Sequence, residues 1–214
     1  MSTTAQTSPK AASSGFVDAE FWNRLRDMDP EEVCRRACAS YDRTRRGYVL
    51  RILNADYLVL PAERLVERVG PSPADVKPLS FHLYFLAVHY LLNAQDRPLT
   101  GDAVTPKELR DGDLFFSGGS HTPNFGPILG RFDGRGELLL QAGEALGGRG
   151  VDCGDAAIEI RVLPRVPITV ILWFSDEEFP ARASVLFDRS VEAQLPVEAL
   201  LPLISQVVKH LAGS

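Results

Sequence analysis

Residues 156–188, AAIEIRVLPRVPITVILWFSDEEFPARASVLFD, constrain the fold of this chain more than any other stretch. β-Branched and aromatic residues come in three runs, divided first by Pro164 and Pro167 and then by Asp176, Glu177, Glu178 and Pro180. That punctuation predicts three strands, at about 156–163, 167–175 and 182–187. Ile158, Ile160 and Val162 alternate with charged residues, as in a half-buried strand, whereas Ile168 to Phe174 is apolar on both faces and suits the centre of a sheet.

Helical patterns flank this block. FVDAEFWNRLRDM and DPEEVCRRACAS, within residues 16–40, read as two helices, the second N-capped by Asp29 with Pro30 at its first position. LSFHLYFLAVHYLLNAQ is apolar nearly all round, which predicts a buried helix. GELLLQAGEAL is a helix closed by Gly147 and Gly148, and Leu200, Leu203, Ile204, Val207, Val208 and Leu211 make an amphipathic helix near the C-terminus. Thr105 and Glu108 have capping-box spacing around Pro106, and DLFFSGGSHTPNFGP after them reads as a glycine-rich loop. GYVLRILNADYLVLP, turning at Asn54 to Asp56, predicts a β-hairpin over about 48–60. Strands and helices do not alternate regularly, so the expected class is α+β: one domain over residues 16–214, with a mainly antiparallel sheet of about five strands covered by helices.

Composition narrows the function classes. The net charge of −5 disfavours a general nucleic-acid binder. LYFLAVHYLL, residues 83–92, is far shorter than the ~20 residues that span a bilayer. Three cysteines, an odd number, fit a reducing compartment, and the cytoplasm is expected. Residues 1–15, polar and rich in small side chains, are expected to be a disordered tail.

The candidate chemistry is scattered. Cys34, Cys38 and Cys153 lack the fourth ligand and the C-x₂-C knuckle of a metal site and read as buried small hydrophobes. His82 and His89 share a helix face but lie about 10.5 Å apart along its axis, too far to hold one ion. Either one suits the axial position of a planar cofactor, although a satisfied core histidine is the plainer reading. His121, between Ser120 and Thr122 among glycines, is the histidine best placed to meet a ligand, but its neighbours do not form G-x-S-x-G. GGRGVDCG, residues 147–154, has helix-loop-strand order, the reverse of a phosphate loop. Six arginines between Arg35 and Arg51, against the one acid Asp42, form either a solvated face or a patch for an acidic partner. Asp176, Glu177 and Glu178 read as a hairpin turn with at most two carboxylates on one side.

YLLNAQDRPLTG, LGGRGVDCGDAAIEIRVLPRVPITVILWFSDEEFPARASVLFD and LPVEALLPLI resemble the uncharacterised prokaryotic DUF3786 family, over roughly residues 45–210. Members of that family occur largely in anaerobes, and some carry a four-cysteine iron–sulfur domain like those of corrinoid proteins. The resemblance therefore implies a redox or corrinoid-linked context, with the 165–180 block and Asp188 as the matching surface. This chain has no four-cysteine module, so no iron–sulfur cluster is expected. The leading expectation is an accessory or cofactor-binding protein for a tetrapyrrole or corrinoid of the haem or cobalamin type. Arg165 would pair with its acidic groups, Trp173 would stack, His121 or His89 would be axial, and Glu178 would lie at the same site. The alternatives are an enzyme using His121 with a carboxylate of the 176–178 cluster, and a module that docks an acidic redox partner, such as an iron–sulfur or corrinoid protein, through Arg35 to Arg51.

Overall fold

The computed structural model describes residues 17–70, 79–117 and 119–213. The expected tail over 1–15 and the proline-rich residues 71–78 lie outside those residues. Two antiparallel sheets share one hydrophobic core with seven α-helices among the described residues. The antiparallel α+β class holds, in two sheets rather than one.

The first sheet is a meander, β1 (Ser40–Asp42), β2 (Gly47–Ile52), β3 (Ala55–Leu60) and β4 (Leu65–Val69), in that spatial order. Pairing of Ile52 with Ala55 makes the β2–β3 connection a two-residue turn at Leu53-Asn54, slightly earlier than the sequence places it. Leu53 takes a left-handed backbone there (φ 51°), and its N–H donates to Val162 O at 2.7 Å. That hydrogen bond ties the first sheet to the second.

The second sheet contains the five strands β5 (Ala103–Val104), β6 (Arg149–Gly150), β7 (Ala156–Leu163), β8 (Val166–Trp173) and β9 (Arg182–Asp188), ordered β5-β9-β8-β7-β6. The strand that is apolar on both faces, β8, lies at its centre, as its sequence requires. Pro167 is tolerated in a central strand because it pairs with β7 beyond the end of β9, which begins its ladder at Ile168.

The helices are α1 (Ala19–Asp27), α2 (Pro30–Ala37), α3 (Phe81–Asn93), α4 (Gly112–Phe116), α5 (Gly126–Phe132), α6 (Gly136–Ala145) and α7 (Leu200–Ala212). Asp29 caps α2 through Glu31 N, and Gly213 closes α7 in the left-handed conformation (φ 71°). The all-apolar α3 packs against α1, α2, α7 and β4 and is buried along nearly its whole length. The expected capping box forms at Thr105 and Glu108 around a short 3₁₀ turn, Pro106–Glu108. The expected loop after it instead holds α4, a 3₁₀ turn at Gly119–His121 and the start of α5. Phe116 and Ile128 are buried in the core, and this tertiary anchoring overrides the local glycine signal. No helix among the described residues is long and apolar enough to cross a membrane.

Candidate functional site

The end of the second sheet at which β8 runs into β9 gathers three connections. One is the α5–α6 turn with Asp133, the second is the loop before β7 with Gly154 and Asp155, and the third is the β8–β9 loop, residues 174–181. Where β8 ends, Phe174 N–H donates to Asp155 Oδ2 at 2.7 Å. The next residue, Ser175, donates its N–H to Asp133 Oδ1 at 2.9 Å and its hydroxyl to Asp133 Oδ2 at 2.7 Å. Two aspartates from separate loops thus grip consecutive backbone amides. The amide of Ser175, followed by its hydroxyl, holds the Asp133 carboxyl below the usual carboxylate range.

Beyond this anchor the chain turns on Asp176. Its Oδ1 accepts from Phe179 N at 2.7 Å and Glu178 N at 2.9 Å, and its own N–H donates to Phe179 O at 3.0 Å. This is an Asx-type turn, and the amides of Phe179 and Glu178 lower the Asp176 pKa. The acid triplet therefore divides. Asp176 builds the turn, while Glu177 and Glu178 are exposed and have no ion pair among the described residues. Phe179, at the tip, leaves 66% of its surface in solvent.

Below the tip, the Arg182 guanidinium lies 4.4 Å from the Trp173 ring, across the Trp173–Arg182 pair of the β8–β9 ladder. Phe174 packs over Gly136, where a Cβ would stand 3.1 Å from its Cζ. Gly154 has φ 62°, and a Cβ there would come within 2.6 Å of Ile171 and 2.8 Å of Leu172 O, so only glycine lets this loop lie against β8. The loop is thus rigidly held at its base and presents one aromatic ring and two carboxylates to solvent.

The other residues singled out by sequence do not converge here. Arg165 sits in the β7–β8 turn, at the opposite end of β8 from Trp173, roughly 26 Å away along the strand at about 3.3 Å per residue. Its guanidinium is committed to the protein, with Nε donating to Arg36 O at 2.7 Å, Nη1 to Arg97 O at 3.3 Å and Nη2 to Asp96 at 2.5 Å. His121 stacks face to face on Phe115 at 4.2 Å, with Nδ1 3.2 Å from Phe115 O. No hydrogen bond or ion pair among the described residues joins His121 to Asp176, Glu177 or Glu178. His89 is buried on α3 between the rings of Phe85 and Phe21, with centroids at 4.1 and 4.6 Å, and burial lowers its pKa. Asp188, the last residue of β9, accepts from the amides of Thr100, Gly101 and Ser190 and ties the 98–102 segment to the sheet.

Cys34, Cys38 and Cys153 are free thiols, with Cys38 at the left-handed C-cap of α2. Among the described residues no group of three His, Cys, Asp or Glu side chains could hold a metal ion. The Arg35 to Arg51 run is largely neutralised. Arg35 pairs with Glu32 and Asp96, Arg36 with Glu32, Arg43 with Glu31, Arg45 with Glu67 and Arg51 with Asp56. Sequence reasoning passed over Asp133, Asp155 and Phe179. The two aspartates meet the loop from 42 and 19 residues away, and no local pattern marks such partners.

Searches of the curated proteins and of the solved structures return no match to the chain. A family model described as "Domain of unknown function (DUF3786)" matches residues 29–210. With nearly the whole chain covered, including both sheets and the 174–181 loop, the protein belongs to the DUF3786 family.

Proposed function

We propose that the protein is an accessory module that docks a partner protein through the 174–181 loop, with Phe179 as the apolar anchor and Glu177 and Glu178 as the charged rim. The observation that carries this reading is an exposed aromatic ring on a loop fixed by Asp133, Asp155 and Asp176. A ring presented on a pre-ordered loop binds at small entropic cost, and buried aromatic anchors carry much of the energy of protein interfaces. Carboxylates beside it that have no ion pair among the described residues select a partner with a basic surface around an apolar notch. The free thiols suit a reducing compartment such as the cytoplasm, and the iron–sulfur or corrinoid redox proteins implied by the family context are the first partners to assay.

The test is affinity capture by the full chain, followed by titration with the purified captured protein. One defined partner should bind, its affinity should fall about tenfold or more with Phe179→Ala, and Glu177→Gln with Glu178→Gln should flatten the salt dependence. Equal binding by wild type and Phe179→Ala would overturn the proposal.

A second reading, tetrapyrrole or corrinoid binding, is favoured by one feature: His89 Nε2 is buried and has no hydrogen-bond partner among the described residues. Adding haem or cobalamin should then shift the Soret or corrinoid band, and His89→Phe should abolish the shift. An unchanged spectrum at micromolar ligand rejects this reading.

A further inference from the structure

We infer that the cleft between the end of α1 and the β1–β2 and β3–β4 turns binds a small oxyanion of the phosphoryl class. The cleft encloses about 200 Å³ and is lined by Arg26, Tyr41, Arg46, Tyr48, Pro61 and Ala62. Two arginines from separate elements thus line one space together with two tyrosines.

Arg46 is the odd member of its run. The other five arginines between Arg35 and Arg51 are paired with carboxylates, whereas Arg46 has no ion pair among the described residues. Its position is built. Asp42 Oδ1 accepts from Thr44 N at 2.8 Å and Arg45 N at 2.9 Å, and the turn then holds Arg46 at φ 55°, a conformation that side chains other than Gly, Asn and Asp rarely adopt. Arg64, just before β4, shares this backbone conformation (φ 53°), so what sets Arg46 apart is a guanidinium without an ion pair among the described residues on a side chain that lines a cleft.

Arg26 engages its neighbour Asp27 through Nε and Nη2, and Nη1 faces no described acceptor. That pair lies at the surface, where ion pairs contribute little, so the guanidinium is free to share an incoming anion. Tyr41 and Tyr48 face each other across the β1–β2 ladder with ring centroids 5.1 Å apart, edge to face. Tyr48 donates its hydroxyl to Leu25 O, which fixes its ring as a wall.

The ligand class follows from the arrangement of donors. A carboxylate is satisfied by a single guanidinium fork, whereas a tetrahedral phosphoryl group presents oxygens in several directions and accommodates two forks from different elements. The aromatic walls leave room for the first carbons of a phosphate ester. Binding here is independent of the 174–181 loop, so either proposal can fail without the other.

Calorimetric titration of the full chain at constant ionic strength, with inorganic phosphate and with phenyl phosphate as probes, tests the site. At least one probe should bind saturably, and a preference for phenyl phosphate would assign the natural ligand as an ester rather than free phosphate. Arg46→Gln and Arg26→Gln should each weaken binding about tenfold, while Arg43→Gln, an exposed arginine already paired with Glu31, should stay within about twofold. Circular dichroism of each variant confirms that it is folded. Absence of saturable binding by both probes, or an Arg46→Gln variant that binds like wild type, would refute the site.

Discussion

Arg165 locks the β7–β8 turn to the rest of the molecule. Its backbone N–H reaches Tyr90 Oη at 3.2 Å, and its guanidinium spans Arg36 O at the end of α2, Arg97 O and Asp96 after α3. The side chain is only 17% exposed and its bond to Arg36 O is partly buried, so a donor lost there is felt more than one lost at the surface. Arg165→Ala is expected to destabilise the fold by about 2–4 kcal/mol, and Arg165→Lys to recover less than half of that, because an ammonium cannot reproduce the fork. Urea unfolding measures both as a lowered midpoint at an unchanged slope. A loss smaller than about 0.5 kcal/mol would mean that the arginine is held for a ligand rather than for the fold.

Two helical glycines separate packing from propensity. Gly143 in α6 faces β7, and a Cβ there would overlap Ile158 Cγ1 and stand 2.9 Å from its Cδ1, in a fully buried layer with no room to relax. Gly130 in α5 has nothing within 4 Å of its would-be Cβ. Alanine gains about 1 kcal/mol of helix propensity at either site, but forced overpacking costs about 1–3 kcal/mol at Gly143 alone. Gly143→Ala should therefore lower the urea midpoint and Gly130→Ala should raise it; the same sign for both would contradict this packing of α6 on β7. The elements that the sequence announces are those whose own periodicity decides them: β7 to β9, α3, α7 and the Thr105 capping box. Those it hides depend on contacts made elsewhere. β5 and β6 are two-residue edges defined only by their partners, and α4 and α5 form around Phe116 and Ile128 within a glycine-rich stretch. The candidate site divides the same way, for the Asp176 turn is legible in SDEEFP while its anchors Asp133 and Asp155 are visible only in three dimensions.

At the scale of the whole molecule, α3 is the element around which α1, α2, α7 and the edge of the first sheet assemble, so a charge forming on it weakens several interfaces together. His89 sits on this helix between Phe21 of α1 and Phe85. Burial pushes its pKa below the ordinary 6.5; Glu198 opposes the shift and Arg24 adds to it. His82, on the same helix, is lowered in the same way by burial and by Lys209. A base whose pKa is depressed by folding binds more protons when unfolded, so its stabilising contribution is complete above about pH 6.5 and declines as the pH falls toward the folded value. Asp188 acts in a lower window. Burial alone would raise its pKa, but hydrogen bonds from Ser190, Thr100 and Gly101 hold it far below the usual carboxylate range, so its contribution is present above about pH 4 and is lost on further acidification. The melting temperature should therefore be level just above neutrality, decline below about pH 6.5 and drop again below about pH 4. His89→Phe, which keeps a ring between Phe21 and Phe85, should reduce the first decline to the part owed to His82 and leave the second unchanged. Differential scanning calorimetry of the two proteins at closely spaced pH values decides it, since parallel curves between about pH 7 and 5 would show that His89 does not titrate with folding.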